Sequence, residues 1–520
     1  MLQSQALDIL KMGHNVYLTG AAGSGKTFVL NTFIDYLRKN KIVVGVAAST
    51  GIAATHMNGM TIHSWAGIGI NDSLSQSDID KLLTKSKLKK RFRETGVLII
   101  DEVSMLHGKR LDMVDQVCRA FRDATKPFGG IQVVLSGDLF QLPPVTRGGE
   151  PDFVFNSEAW GSMNLKVCYL EEQHRQEDSK LLDVLNSIRN SAVDDSHFEY
   201  LQDRFREAGP DTVVTRLFTH NATVDQLNED ELAKIDSEER IYVMQNTGNK
   251  TIAESLKKSC LAPETLKLKL GADVMFVANS QAGHFANGTL GKVVAFDGDG
   301  GPIVRTANRT VNVTMHSWSL IDGEKTVAEI MQIPLRLAWA ITVHKSQGMT
   351  LDAAEIDLSR SFEPGMGYVA LSRVKTMDGL YIKGMNNTAL VVHPEVSKLD
   401  IRLRKVSENT KSAIEAIDQQ VLDKHHNKAR ISMQSDEARS LDEYDEKIYE
   451  ELRKWRYSQA KEQSIPPYMV FADKTLKLIA AVLPKTVDEV VKLKGVGPQK
   501  LERYGEGVVE LITRLSEKNQ

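Results

Sequence analysis

The stretch NVYLTGAAGSGKTFVLNTFIDYLRK, residues 15–39, decides how this chain folds. NVYLTG reads as a short strand that ends in glycine, and FVLNTFIDYLRK reads as a helix. Between them lies GAAGSGKT, residues 20–27. Gly20, Gly23 and Gly25 let the backbone curl so that its N–H groups point inward, and the helix adds the positive end of its dipole. Such a loop cradles phosphates, with Ala21, Ala22 and Ser24 completing its wall. Lys26 is placed to bridge the β- and γ-phosphates of ATP, and Thr27 offers its hydroxyl to Mg²⁺. A glycine turn that matched by chance would lack the strand before, the helix after and the complete GKT.

Outward from this loop, β-branched runs ending in Gly, Ser or Asp recur: IVVGVAAST (42–50), VLIIDE (97–102) and IQVVLSGD (131–138). Helical stretches separate them, the pattern of a parallel sheet covered on both faces. A second set follows in TRLFTH (215–220), ADVMFVAN (272–279), AAEIDLS (353–359) and LYIKG (380–384), so two α/β lobes are expected. Two stretches break the pattern. Residues 70–95 include LTKSKLKKRFR, a basic helical insertion, and residues 282–333 carry the Gly-rich alternation of a small β-barrel or hairpin set. The organisation expected is a first lobe over 1–165, a second over 166–402, a linker over 403–442 and a helical domain over 443–520. The linker reading rests on charge and few aromatics, and the linker is expected to be helical in parts.

At 520 residues the chain exceeds what one core supports. Its formal net charge of −3 excludes a nucleic-acid surface built on overall charge, so any such surface must be local. Cys118, Cys168 and Cys260 lie far apart with no CxxC pair, which argues for reduced thiols and against a zinc site or disulfide framework. The start lacks a basic segment followed by an apolar one, and no run of about 18 apolar residues occurs, so a soluble cytoplasmic protein is expected.

The companion of the phosphate loop is LIIDE (98–102), whose strand delivers Asp101 to the Mg²⁺ shell and Glu102 to the water that attacks the γ-phosphate. SGDLFQLPPV (136–145) ends another strand, with Gln141 where an amide can sense the γ-phosphate. A turn fixed by the two prolines is the structural alternative. Phosphoryl transfer also needs positive charge, and an arginine finger is typically worth 10³–10⁵ in rate. Among the chain's many arginines, Arg175 in EEQHRQ and Arg373 in GYVALSRVK, both expected in the second lobe, are singled out only by the resemblance described next.

With these motifs in hand, the chain resembles the PIF-type (petite integration frequency) helicases of superfamily one, B branch, related to RecD. The resemblance covers about residues 1–400. EVSMLHGKRLDMVDQVCRAFRDATKPFGGIQ (102–132) matches the stretch that sets the family apart, and STGIAATHMNGMTIHSW (49–65), LEEQHRQ (170–176), AWAITVHKSQGMTLD (338–352) and GMGYVALSRVK (365–375) match further motifs in order. The resemblance implies two tandem RecA-like lobes. It also implies that Gln3 reads the adenine edge, that Arg175 and Arg373 are the fingers, and that Gln347 lies near the nucleotide. Single-stranded DNA would cross both lobes, meeting Thr50, Gly51, Thr61 and His63 on the first and His344, Lys345 and Ser346 on the second. Hydroxyls and backbone N–H groups suit such work because they hold phosphates without reading bases.

The basic insertion (Lys85, Lys87, Lys89, Lys90, Arg91) could flank a duplex junction or simply be a solvated helix face. NGTLGKV (287–293) opens the inserted β unit, SH3-like in the family. IPPYMVFADKTLKLIAAVLPKTVDEVVKLKGVGPQKLERYG (465–505) resembles the HRDC module of RecQ helicases, an all-α domain of five or so helices. There Gly495 and Gly497 permit a turn from which Lys500 could approach a phosphate. The resemblance implies an ATP-dependent DNA helicase, moving 5′→3′ and active in repair, recombination or replication. It would bind single strands and junctions and be a monomer in solution, with repair or replication proteins as partners. A translocase that strips proteins from single strands, or an adaptor that keeps ATP as a structural ligand, are the alternatives. Intact Lys26, Thr27, Asp101 and Glu102 argue against the adaptor.

Overall fold

The computed structural model describes all residues except 70–72, 147–149, 173–177, 208–213, 219–223, 281–283, 323–324, 435–443, 464, 492, 494 and 519–520. Six parallel strands form the first sheet: β1 (Val16–Gly20), β2 (Val43–Ala48), β3 (Met60–Thr61), β4 (Thr95–Asp101), β5 (Gln132–Ser136) and β6 (Lys166–Leu170), in the order β3-β2-β4-β5-β1-β6. Because the sheet is covered on both faces, its central strands are apolar throughout. Successive side chains alternate. Val97, Ile99 and Val134 pack with helices α1 (Gln3–Lys11) and α2 (Lys26–Lys39), while Leu98, Ile100, Val133 and Leu135 enter the larger core on the other side. β6 completes this sheet by pairing with β1, so the first lobe runs past the boundary expected at 165.

The second lobe carries a four-stranded parallel sheet in the order Ala340–Thr342, Thr215–Phe218, Ala354–Leu358, Leu380–Met385. One of the four runs assigned to it, ADVMFVAN, belongs elsewhere. Asp273–Phe276 is a member of an antiparallel five-stranded sheet with Leu290–Phe296, Pro302–Thr306, Thr310–Asn312 and Leu335–Leu337. A hairpin (His316–Asp322 with Lys325–Gln332) pairs with Gln245–Gly248. The inserted β unit therefore starts near residue 240, well before 282. Its strand 273–276 is apolar because it fills the insertion's own small core, with Val274 and Phe276 against Leu266, Val293, Val304 and Leu335.

Among the described residues, the stretch read as a linker holds helix, as expected, in Pro394–Glu415, which begins before it, and Gln419–Met433, both packed on the first lobe. Ile414, Leu422, Ala429 and Met433 join the core beneath α1 and α2. The Tyr169 N–H of the edge strand β6 donates to Ser407 Oγ at 3.0 Å, so the first of these helices caps that edge. The basic insertion is a helix pair, Gln76–Leu83 and Ser86–Glu94, anchored by Leu88 and Phe92, with Lys85, Lys87, Lys89 and Lys90 exposed. Arg91 instead donates to Trp65 O at 2.7 Å. Five helices between Glu446 and Lys518 make up the C-terminal domain among the described residues, around its own core of Leu452, Phe471, Leu476, Ile479 and Val508. There Gly495 has a φ of +92°, and Lys500 Nζ lies 5.6 Å from the centre of the Phe471 ring.

Candidate nucleotide and strand site

The loop after β1 has the conformation its glycines permit. Gly20, Gly23 and Gly25 have φ of +150°, +88° and +84°, and a Cβ on Gly20 would lie 2.6 Å from Ser24 Oγ and 2.7 Å from Leu170 O. The first α-helical bond of α2 runs from Val29 N–H to Gly25 O at 3.1 Å, so the helix start faces the loop. Lys26 Nζ lies across that loop, donating to Gly20 O at 2.9 Å and Ala21 O at 3.0 Å. Among the described residues, Ser24 Oγ is buried with no hydrogen-bond partner. Thr27, one residue into the helix, is exposed. A curled backbone, an ammonium inside it and an orphaned buried hydroxyl fit a polyphosphate. Gln3 Nε2 donates to Ser24 O at 3.2 Å, which fixes α1 against the loop.

Asp101 and Glu102 follow at the end of β4, Glu102 in the left-handed region at φ +52°. Burial raises the Asp101 carboxyl above its ordinary range. Burial and the charge of Asp101 push Glu102 up to about 7, against the pull of Lys26 and Arg373. Gln347 of the second lobe donates through Nε2 to Glu102 Oε2 and to Gln141 Oε1, both at 3.0 Å. A hydrogen-bonded chain from Glu102 through Gln347 to Gln141 thus joins two expected site residues of the first lobe to one of the second.

Arg373 is 1% exposed. Its guanidinium donates to Val369 O at 2.8 Å, Met349 O at 3.3 Å, Ser346 O at 3.4 Å and Ser372 Oγ at 2.7 Å. It is therefore held inside the second lobe with its charge felt at Glu102. Arg175 lies outside the described residues. Gly365, which caps the helix Met366–Leu371, approaches the first lobe closely: its φ is +88°, and a Cβ there would lie 2.7 Å from Phe140 O.

A cluster that motif reading did not single out lies behind the loop. Arg189 Nη1 contacts both Asp138 oxygens at 2.7 Å and Tyr368 Oη at 2.9 Å, and its Nη2 donates to Tyr169 Oη at 2.6 Å. Tyr368 Oη donates to Asp138 Oδ2 at 2.9 Å and accepts the Ala22 N–H at 3.2 Å. Burial works to raise the Asp138 carboxyl, but the charges of Arg189 and Lys26 outweigh it and hold it below its ordinary value. Asp138 and Tyr368 sit within SGD and GYVALSR, whereas nothing in the sequence separates Arg189 from a surface arginine.

Toward the expected strand path, Thr50 and Thr61 each cap a short helix, accepting from Ala53 N–H and Ser64 N–H at 3.3 Å. Gly51 opens the first of these helices, Gly51–His56. His63 is half-buried, and burial, then the charges of Arg110 and His107, lower its pKa. His344 and Lys345 are partly exposed on the short helix Val343–Ser346. Ser346 departs from the expectation: it is fully buried and its hydroxyl donates to Val343 O at 2.8 Å, facing the core.

Comparison with known proteins follows the same outline. The family model described as PIF1-like helicase matches residues 4–195, that of the Pif1 2B domain residues 251–296 and that of the HRDC domain residues 445–512. The ATP-dependent DNA helicase Pif1 of Psychrobacter sp. is 44% identical over 495 residues, covering 83% of this chain and 75% of that protein. The human ATP-dependent DNA helicase PIF1 is 35% identical over 410 residues, covering 78% of this chain and 63% of that protein. Among solved structures, Bacteroides sp. Pif1 in complex with ADP-AlF4 aligns with a TM-score of 0.66 at 33% identity, covering 78% of this chain and 96% of that one. Bacteroides Pif1 bound to ssDNA aligns with a TM-score of 0.52 at 33% identity, covering 78% and 97%. The chain belongs to the PIF1-like helicase family.

Proposed function

We propose that this chain is an ATP-dependent DNA helicase that moves 5′→3′ along single-stranded DNA and opens duplex or folded DNA ahead of it. The observation that carries the reading is the hydrogen-bonded chain Glu102–Gln347–Gln141, which places a half-buried carboxylate of one lobe under the control of an amide of the other. Family membership supports the activity, because relatives across most of the chain are named ATP-dependent DNA helicases.

In this reading the curled loop Gly20–Thr27 holds the phosphates of ATP and Gln3 holds the adenine edge. Thr27 and Asp101 are the residues that would hold Mg²⁺, which when bound neutralises phosphate charge. Glu102 accepts a proton from the attacking water, so its raised pKa brings it near the range where a base works best at neutral pH. Lys26 and the fingers Arg373 and Arg175 stabilise charge on the transferred group. Gln141 and Gln347 align the water and the lobes. Thr50, Gly51, Thr61 and His63 grip the strand from the first lobe, and His344 and Lys345 grip it from the second.

Opening one DNA step requires about 1.4 kcal/mol of stacking on average. A finger lowers a barrier and supplies no free energy, so hydrolysis must act through lobe closure that shifts the grip each cycle. The chain acts on single-stranded DNA and single-strand–duplex junctions, and as a monomer. Unwinding of 5′-tailed and 3′-tailed duplexes with ATP and Mg²⁺ tests this: only the 5′-tailed substrate is expected to open. Opening confined to the 3′-tailed one would reverse the polarity, and strand-stimulated turnover with no opening of either would favour a translocase.

A further inference from the structure

Tyr368 comes from the second lobe and is 1% exposed, yet its hydroxyl meets the backbone of the phosphate loop at Ala22. A phenolic hydroxyl has one donor and room for two acceptances. Here it donates to Asp138 and accepts from Arg189 and from Ala22 N–H, so its capacity is filled and its position fixed from three directions. Ala22 lies between Gly20 and Gly23, both at positive φ, so the residue shifts with any change in the curl of the loop. The helix that carries Tyr368, Met366–Leu371, also supplies Val369 O to Arg373, and Arg373 in turn reaches Ser346 O at the end of the helix bearing His344 and Lys345. One hydroxyl on this short helix thus touches the nucleotide loop, while the neighbouring Val369 is tied through Arg373 to the candidate strand-gripping segment.

A buried ion pair such as Asp138–Arg189 is weak evidence of stability, since apolar replacements often do as well. Its placement, bonded to residues of both lobes, favours a role in fixing how the lobes meet. We propose that the Tyr368 hydroxyl is the contact through which occupancy of the phosphate loop sets the grip on the single strand, with Asp138 and Arg189 as positioning residues that hold it there. The inference rests on the ATP-driven motor reading above. The contact exists when the lobes meet, so nucleotide that favours their meeting and strand that favours it are linked, and linkage is reciprocal.

The test measures the affinity of the full chain for a fluorescent oligo(dT), with and without a non-hydrolysable ATP analogue and Mg²⁺. Wild type is expected to show a nucleotide effect within the usual range of about 5–150-fold. Tyr368→Phe keeps the ring and its packing, and the effect is expected to fall below about two-fold; the effect of oligo(dT) on analogue affinity should fall by the same factor. Arg189→Lys keeps a charge beside Asp138 but loses the planar span to Tyr368 and Tyr169, and should show the same collapse. Tyr17→Phe, whose buried hydroxyl donates to Gly137 O at 3.3 Å away from the loop amide, should retain the wild-type effect. A merely structural tyrosine would lower the melting temperature and leave the ratio intact. An intact ratio in Tyr368→Phe, or in Arg189→Lys should the first variant not fold, overturns the proposal alone. A wild type indifferent to nucleotide overturns it together with the motor reading.

Discussion

Glu102 stands at φ +52° at the end of its strand, half-buried, with its carboxylate bonded to an amide of the opposite lobe. Glu102→Gln keeps shape and removes the proton acceptor. The expected result is strand-stimulated turnover lower by about 10²–10⁴-fold with nucleotide affinity retained. Equal losses in affinity and turnover would show that the side chain binds and does not act as the base. Gly365 offers a second test, because alanine there must adopt a positive φ and meet Phe140 O at 2.7 Å. Gly365→Ala should lower unfolding free energy by about 1–3 kcal/mol, read from chemical denaturation; an unchanged midpoint would mean that the lobes part without strain. The thiols make a third: burial raises Cys168 to about 12 and Cys260 to about 11, and Cys118 well above its usual range. A thiol reagent at pH 8 should react slowly with the native chain and find three thiols only after denaturation. Lys26, Asp101 and Glu102 were legible because a phosphate site needs those residue types at fixed offsets from a strand. Arg189 was not, since its meaning arises from Asp138 and Tyr368, which meet it only in the folded chain.

At the scale of elements, the parallel strands could be read because burial on both faces leaves an unbroken apolar run. The same signal misled at ADVMFVAN, since a strand in the small core of the inserted unit is equally apolar and differs only in the direction of its neighbours. The helices 394–415 and 419–433 were legible only as helix within a linker, and their packing on the first lobe was not, for the opposite reason. Each buries a narrow stripe, such as Leu422, Ala429 and Met433, and presents charge elsewhere, so composition resembled a solvated tether. Leu422→Ala is expected to destabilise the motor by about 2–5 kcal/mol, within the range for a buried leucine truncated in a core. Thermal unfolding of the first lobe checks it, and a loss below about 0.5 kcal/mol would return the segment to the status of a tether.

For the whole molecule, the C-terminal helices gather around a core of their own, while the two lobes share one continuous core. Removing residues 443–520 should therefore leave strand-stimulated turnover within about two-fold while changing which DNA structures are opened, measured on tailed, forked and folded substrates; collapse of turnover would tie the domain to the motor itself. The ammonium of Lys26, resting on the carbonyls of Gly20 and Ala21, has a broader consequence. A positive charge already braces the cradle from within, so a triphosphate arriving there exchanges one set of oxygen acceptors for another and adjusts the curl of a loop that is already formed. Capture of fuel should consequently be quick and show little heat-capacity change, leaving the slower events of each cycle to the opening and closing of the lobes.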